Sequence, residues 1–126
     1  MQRVVSEDIL QALAAKTADG YGLSGVDPVI RQVYAAKSVE LWVTVTALTA
    51  GGPMDFILES AIAESPDPAT SWVEVTRISI VTVVGTYASA MSIRGDKPLG
   101  EKVRGRWEFS GGVGAATFEM RVVRQE

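Results

Sequence analysis

Val39, Leu41, Val43 and Val45 alternate with Glu40, Trp42, Thr44 and Thr46, a two-residue period over residues 38–48. In an extended strand this puts the branched aliphatics on one face and the other set opposite, whereas a helix would scatter both around its circumference. The segment is therefore expected to be a half-buried strand. It ends at Gly51-Gly52-Pro53, where glycine allows unusual dihedrals and proline removes a ladder donor. A return strand is expected from Met54 to about Ala63, with Phe56 and Leu58 on one face and Asp55, Ile57 and Glu59 on the other.

The same pattern recurs downstream. Ser65-Pro66-Asp67-Pro68-Ala69-Thr70 has the composition of a loop, and strand character resumes from Trp72 to Ile80 through Val73 and Val75. The apolar parity then changes by Ile78 and Ile80, which a β-bulge, a bend between sheets or two short strands would each accommodate. After Gly85, Tyr87, Ser89, Met91 and Ile93 share one face and Ala88, Ala90, Ser92 and Arg94 the other, up to a turn at Gly95-Asp96-Lys97-Pro98. Val103, Gly105, Trp107 and Phe109 oppose Lys102, Arg104, Arg106 and Glu108, and Phe118, Met120 and Val122 oppose Thr117, Glu119 and Arg121. The Gly111-Gly112-Val113-Gly114 turn between these two segments predicts a hairpin. Short strands at this spacing predict an all-β fold, a single β-sandwich or jelly-roll-like domain, because two half-apolar sheets must cover one another. Trp107 and Phe118 fall on its core side.

Residues 1–29 read differently. Ser6 can cap a helix bearing Ile9, Leu10 and Leu13 through the Ala-rich stretch to Lys16, and an extended outer strand or arm fits the same residues. Asp19-Gly20, Gly22, Gly25 and Asp27-Pro28 make the following stretch irregular. The expected division is an N-terminal arm, outer strand or short helix over residues 1–29 and a β-sandwich domain over residues 30–126. A chain of 126 residues has the size of one domain and buries enough surface to fold without metal or disulfide staples. Acidic Glu7 and Asp8 follow Met1-Gln2-Arg3 in place of an apolar leader core, and no run is long enough to span a bilayer, so a soluble protein with no membrane partner is expected.

The residue inventory narrows the chemistry. The chain has no histidine and no cysteine, which removes Ser-His-Asp and Cys-His nucleophile systems and the usual zinc ligand sets. Asp55 and Glu59 share a strand face four residues apart, but a rise of roughly 13 Å between their backbones exceeds glycosidase carboxylate spacings. Gly112-Val113-Gly114-Ala115-Ala116-Thr117 lacks the final glycine of a dinucleotide motif and enters a strand, not a helix. A non-enzymatic chain without cofactor is expected. Residues 1–70 carry four basic and nine acidic side chains, residues 71–126 eight basic and six acidic, and the whole chain has a net charge of −3. Surfaces of opposite sign on an acidic chain favour protein contacts over nucleic acid.

Leu41-Trp42-Val43-Thr44-Val45-Thr46-Ala47, Asp55-Phe56-Ile57-Leu58-Glu59-Ser60, Ser65-Pro66-Asp67-Pro68-Ala69-Thr70-Ser71-Trp72, Gly85-Thr86-Tyr87 and Lys97-Pro98-Leu99-Gly100-Glu101-Lys102-Val103-Arg104-Gly105-Arg106-Trp107 follow one another in an order that resembles small jelly-roll-like proteins which decorate or cement the capsids of tailed bacteriophages. The resemblance runs over residues 38–123, with a weaker echo in residues 9–22. The Pro-Asp-Pro loop is longer than is typical of that family, and the start is richer in alanine. The resemblance implies a virion structural protein on the outer capsid surface, a homo-oligomer (dimer or trimer) bound to the major capsid protein, with an N-terminal arm reaching an adjacent protomer. Under it, Arg3, Ile9, Leu10, Leu13, Trp42, Arg94, Lys97, Lys102, Arg104 and Arg106 are the candidate protein-contact residues.

Two other readings fit the residues. Trp42, Trp72 or Tyr87 can form a stacking platform in a carbohydrate-binding β-sandwich on a tail or fibre. A head–tail or tail-completion protein would use the same fold as a ring at one vertex.

Overall fold

Alternation becomes burial along Ser38–Thr49, where Val39, Leu41, Val43 and Val45 are buried while Trp42 and Thr46 are exposed. A computed structural model of the chain describes residues 5–21, 31–32, 38–49, 53–61, 72–92, 102–109 and 114–125. Among the described residues the strands are β1 (Val5–Lys16), β2 (Gly20–Tyr21), β3 (Arg31–Gln32), β4 (Ser38–Thr49), β5 (Met54–Ala61), β6 (Val73–Val81), β7 (Gly85–Ser92), β8 (Lys102–Phe109) and β9 (Ala115–Gln125). They form two antiparallel sheets, one ordered β1-β9-β4-β7 and the other β2-β8-β5-β6, with β3 also paired to β8. The protein is an all-β sandwich, and this crossing strand order is that of a jelly roll.

The chain changes sheet at nearly every connection. Among the described residues β5 and β6 are the consecutive strands that pair with each other. The hairpin expected across Gly111-Gly112-Val113-Gly114 does not form: β8 pairs with β5 in one sheet, and β9 pairs with β1 and β4 in the other. The two strands lie in different sheets, an arrangement that alternation cannot distinguish from a hairpin, since either one turns the apolar faces of both strands toward one core.

Residues 5–16 form an edge strand, not a helix, and belong to the sandwich. Register shifts against β9 fall between Ile9 and Gln11 and between Gln11 and Ala14. These irregularities turn Leu10 and Gln11 both inward, each fully buried, and leave Ile9 and Leu13 outside. The simple alternation that marks the other strands is therefore missing here.

The core is one cluster built from Leu10, the four β4 aliphatics, Met54, Phe56, Leu58, Ile78, Val81, Val103, Trp107, Ala116, Phe118, Met120 and Val122. Phe118 sits between Phe56 and Trp107, with ring centroids 4.9 and 5.1 Å away and interplanar angles of 72° and 69°. Such edge-on pairs match the positive ring edge to the negative face of its neighbour. Trp107 donates its indole N–H to the Ala18 carbonyl at 2.9 Å, and Asp19 Oδ1 accepts the Phe109 amide at 2.8 Å. The turn after β1 is thereby fastened over the end of β8.

The parity change in β6 is caused by bulges within a single strand. Phe56 faces Ile78 but Met54 faces Val81, and Leu58 faces Thr76 while Glu59 faces Glu74, so β6 twice uses an extra residue. Ile78 and Val81 are buried as a result, and Ile80 is turned outward with 70% of its surface exposed. At the adjoining edges of the two sheets the hydroxyls of Thr76 and Ser89 hydrogen-bond to each other.

Candidate functional site

Each sheet has a polar outer face, and the two are organised differently. On the five-stranded sheet, the outward positions of β5, β6 and β8 interleave opposite charges. Glu59 receives Arg104 Nε at 2.9 Å and lies 3.1 Å from Arg106 Nε. Arg106 also pairs with Glu108, and Arg77 reaches Asp55 at 2.5 Å and Glu74 at 2.7 Å. Ile57 stands in this face opposite Arg77 and Arg106 yet is fully buried. Long arginine stems on both sides can cover it while their charged ends turn to carboxylates. Trp72 covers the network at one end, its ring 4.3 Å from the Arg104 guanidinium carbon.

These partners shift the guanidinium equilibria. Arg77 is held above its ordinary value chiefly by its hydrogen bond to Glu74, against the effect of burial and with help from Asp55. Burial opposes the charge on Arg106, but the Glu108 hydrogen bond and the Glu59 charge together outweigh it and raise that pKa too. Asp55 and Glu59, the carboxylates four residues apart, are each bonded to arginine.

The outer face of the four-stranded sheet is more open. Glu40, Trp42 and Thr44 on β4 lie beside Glu119, Arg121 and Val123 on β9, and Glu7 on β1 lies beyond. Together they line a shallow groove of about 520 Å³. Trp42 is 40% exposed and donates its indole N–H to Glu40 Oε2 at 2.8 Å. Arg121 pairs with Glu119 on its own strand and with Glu7 across the strand boundary. The Glu119 hydrogen bond, followed by that to Glu7, raises its pKa.

The expected contact residues are distributed unevenly over these faces. Ile9, Leu13 and Trp42 are exposed. Two residues need correction. Leu10 is fully buried in the core through the irregular β1 register, and Arg104 is 2% exposed because it pairs with Glu59 beneath Trp72, so neither side chain is available to a partner. Arg106 is partly buried and committed to Glu59 and Glu108. Lys102 lies on β8 in register with Ala61 and Gln32. Arg3, Arg94 and Lys97, the connection at residues 22–30, the loop at residues 65–70 and the turn at residues 95–98 lie outside the described residues.

The aromatic candidates do not share a face. Trp42 points outward from the four-stranded sheet, Tyr87 is in register with buried Val43 and packs against the core, and Trp72 lies on the outside of the other sheet. Glu7, Glu40, Glu119 and Arg121 were not singled out by sequence. Their outward parity on β4 and β9 is readable, but the adjacency of those strands with β1 is a property of the sheet order. Among the described residues no group of three or more His, Cys, Asp or Glu side chains is arranged to hold a metal ion.

No family model matches the chain, and no curated protein sequence does. Among solved structures, it is similar to a chain from Bacillus endospore appendages, which form a family of disulfide-linked pili. The match has 11% identity and a TM-score of 0.47, and covers 98% of this chain and 90% of that one.

Proposed function

We propose that this protein is a non-enzymatic virion component that decorates a tailed-phage capsid and stabilises it by binding major capsid subunits from outside. The sequence resemblance supplies the capsid. The geometric support is the Trp42 groove: a large aromatic left 40% exposed on the open face of a sheet, where a partner surface can cover it. The charged residues of the opposite face are committed to one another and leave that side less suited to a charged partner.

The mechanism is linkage. A ligand that binds the assembled lattice and not the dispersed subunits shifts the equilibrium toward assembly by mass action. Modest contacts repeated on a symmetric shell accumulate into a large effect through oligomer valency. No bond-making chemistry is required.

The experiment is cosedimentation of the purified protein with assembled tailed-phage capsids, followed by cryo-EM counting of copies per particle. Regular occupancy of the shell and a higher disruption temperature are expected. Bare shells would overturn the proposal, and a ring at one vertex would replace it with a head–tail role.

A further inference from the structure

The edge of a sheet presents backbone amides and carbonyls to any extended chain, and natural sheets guard such edges with charge, irregular pairing or brevity. Among the described residues, three of the four edges here are guarded. β1 carries Glu7, Asp8 and Lys16 and shifts register twice. β6 carries Glu74 and Arg77 and also shifts twice, while β2 and β3 are two residues long. β7 has none of these guards. Its eight residues pair with β4 in unbroken register, from Gly85 opposite Val45 to Ser92 opposite Ser38, and include no charge and no proline. They belong to residues 78–93, the longest stretch of the chain without a charged side chain.

Among the described residues no strand pairs with the other side of β7. β6 adjoins it through the hydroxyls of Thr76 and Ser89, but these are in register with buried Leu58 and Leu41, so the bond lies on the inner side of both strands. The corner that leads into β7 is apolar: Ile80, Val83 and Val84 are 70, 63 and 55% exposed. Ile80 faces outward at the expense of a left-handed backbone with φ of 58°. Tyr87 donates its hydroxyl to the Val83 carbonyl at 2.6 Å, which pins the turn. Strain retained in order to hold apolar side chains outward suits a surface that another protein covers.

We propose that β7 is a homotypic interface, on which a second copy of this chain lays its own β7 antiparallel across a two-fold axis. Such a contact sets a strand against its own sequence, so charges on it bring like charges close together. A strand without charge meets itself freely, which favours a second copy as the occupant. Residues 78–93 supply no cation for a lipid headgroup surface. Backbone pairing along β7 gives the affinity, and the exposed valines lie at either end of the paired segment. The pairing joins two four-stranded sheets into one and repeats Trp42, in register with Ala88, on its outer face. The inference does not rest on the capsid reading.

Sedimentation velocity of the purified chain over a range of concentrations tests it, on wild type, Ala88→Lys, Val84→Lys and a Leu13→Lys control on the opposite edge. Wild type and Leu13→Lys are expected to dimerise alike, and Ala88→Lys and Val84→Lys each to weaken dimerisation at least about tenfold. Equal urea midpoints at a dilution where every chain is monomeric confirm that the variants fold. Amide hydrogen exchange locates the contact: protection of residues 85–92 is expected to rise with protein concentration, and that of β1 to stay constant. A wild type that remains monomeric, or a dimer that tolerates both β7 lysines or leaves the β7 amides unprotected, would overturn the proposal. Protection of β7 that arises only on assembled capsids would overturn it too and assign the edge to a capsid subunit. Dimerisation through β7 without capsid binding would support it and sink the capsid reading alone.

Discussion

Arg104 donates Nε–H to Glu59 Oε1 at 2.9 Å on the outside of a sheet, yet the two side chains are only 2% and 9% exposed. Glu59 also lies 3.1 Å from Arg106 Nε, so one carboxylate contacts two guanidinium groups, and the Trp72 ring stands over that of Arg104. Removing one member of a buried pair strands the other charge, at about 3–5 kcal/mol, whereas replacing the pair by apolar groups is far less costly. Glu59→Ala is therefore expected to lower stability by about that amount, more than Arg104→Ala, and Glu59→Leu with Arg104→Met to recover most of the loss. Urea unfolding of the four chains measures this. Equal losses for the two single variants would show that Glu59 does not serve both arginines.

Ile80 has φ of 58° and is 70% exposed, an unfavourable backbone for a β-branched residue whose side chain gains little burial in return. Asp55 Oδ1 accepts its amide at 2.9 Å, which holds the bulge in place. Ile80→Asn or Ile80→Gly is expected to raise stability by about 1 kcal/mol, since both tolerate left-handed backbone. Asp55→Ala is expected to lower it, through the lost amide acceptor and the lost partner of Arg77. A destabilised Ile80→Gly would mean that the isoleucine side chain contributes packing that outweighs its strain.

Gly105 on β8 packs against Leu10 and Met120 of the facing sheet. A methyl group there would stand 2.9 Å from Met120 Cε, 3.1 Å from its Sδ and 3.3 Å from Leu10 Cβ. The methionine end can move aside, but Leu10 Cβ is fixed to its backbone. Gly105→Ala is expected to cost about 1–3 kcal/mol by overpacking. In a background of Met120→Ala the methionine part of that cost is removed while the contact with Leu10 Cβ remains, so the same change should cost less but still destabilise, and thermal unfolding of the cycle gives the coupling.

The pH response distinguishes arginine from lysine at position 77. A group whose folded pKa is raised contributes stability that is present below its unfolded pKa and is lost as pH rises through the folded value. For Arg77 that loss begins only in strong alkali, beyond the lysine range, so its contribution persists through mild alkali. Arg77→Lys moves the start of the loss to about pH 10.4. Urea midpoints of wild type and variant should run parallel between about pH 7 and 9 and separate above about pH 10, with the variant falling. A gap that stays constant through about pH 12 would show that Asp55 and Glu74 do not respond to the charge at position 77.

Much of the inside and outside of this fold was legible residue by residue. Val39, Leu41, Val43 and Val45, then Phe56 and Leu58, then Trp107, Phe118, Met120 and Val122 are buried as their alternation predicted. β1 was ambiguous because irregular pairing turns Leu10 and Gln11 inward together, which erases the period that would have marked a strand. Ile57 was expected opposite the core and is there, but arginines across two strand boundaries stand where they can cover it, and no local pattern records them.

By itself the sequence determined that the chain is all-β, which residues of most strands point inward, and that histidine and cysteine chemistry is excluded, because each follows from local periodicity or composition. Tertiary structure alone decided that residues 102–109 and 115–125 belong to different sheets, that Arg104 is buried against Glu59, and that Glu7, Glu40, Trp42, Glu119 and Arg121 meet in one groove. The physical reason is that alternation sets only the face a side chain occupies. Neighbours along a sheet are chosen by backbone hydrogen bonding between segments far apart in the chain, and the same inward and outward pattern satisfies a hairpin and two strands in facing sheets equally well.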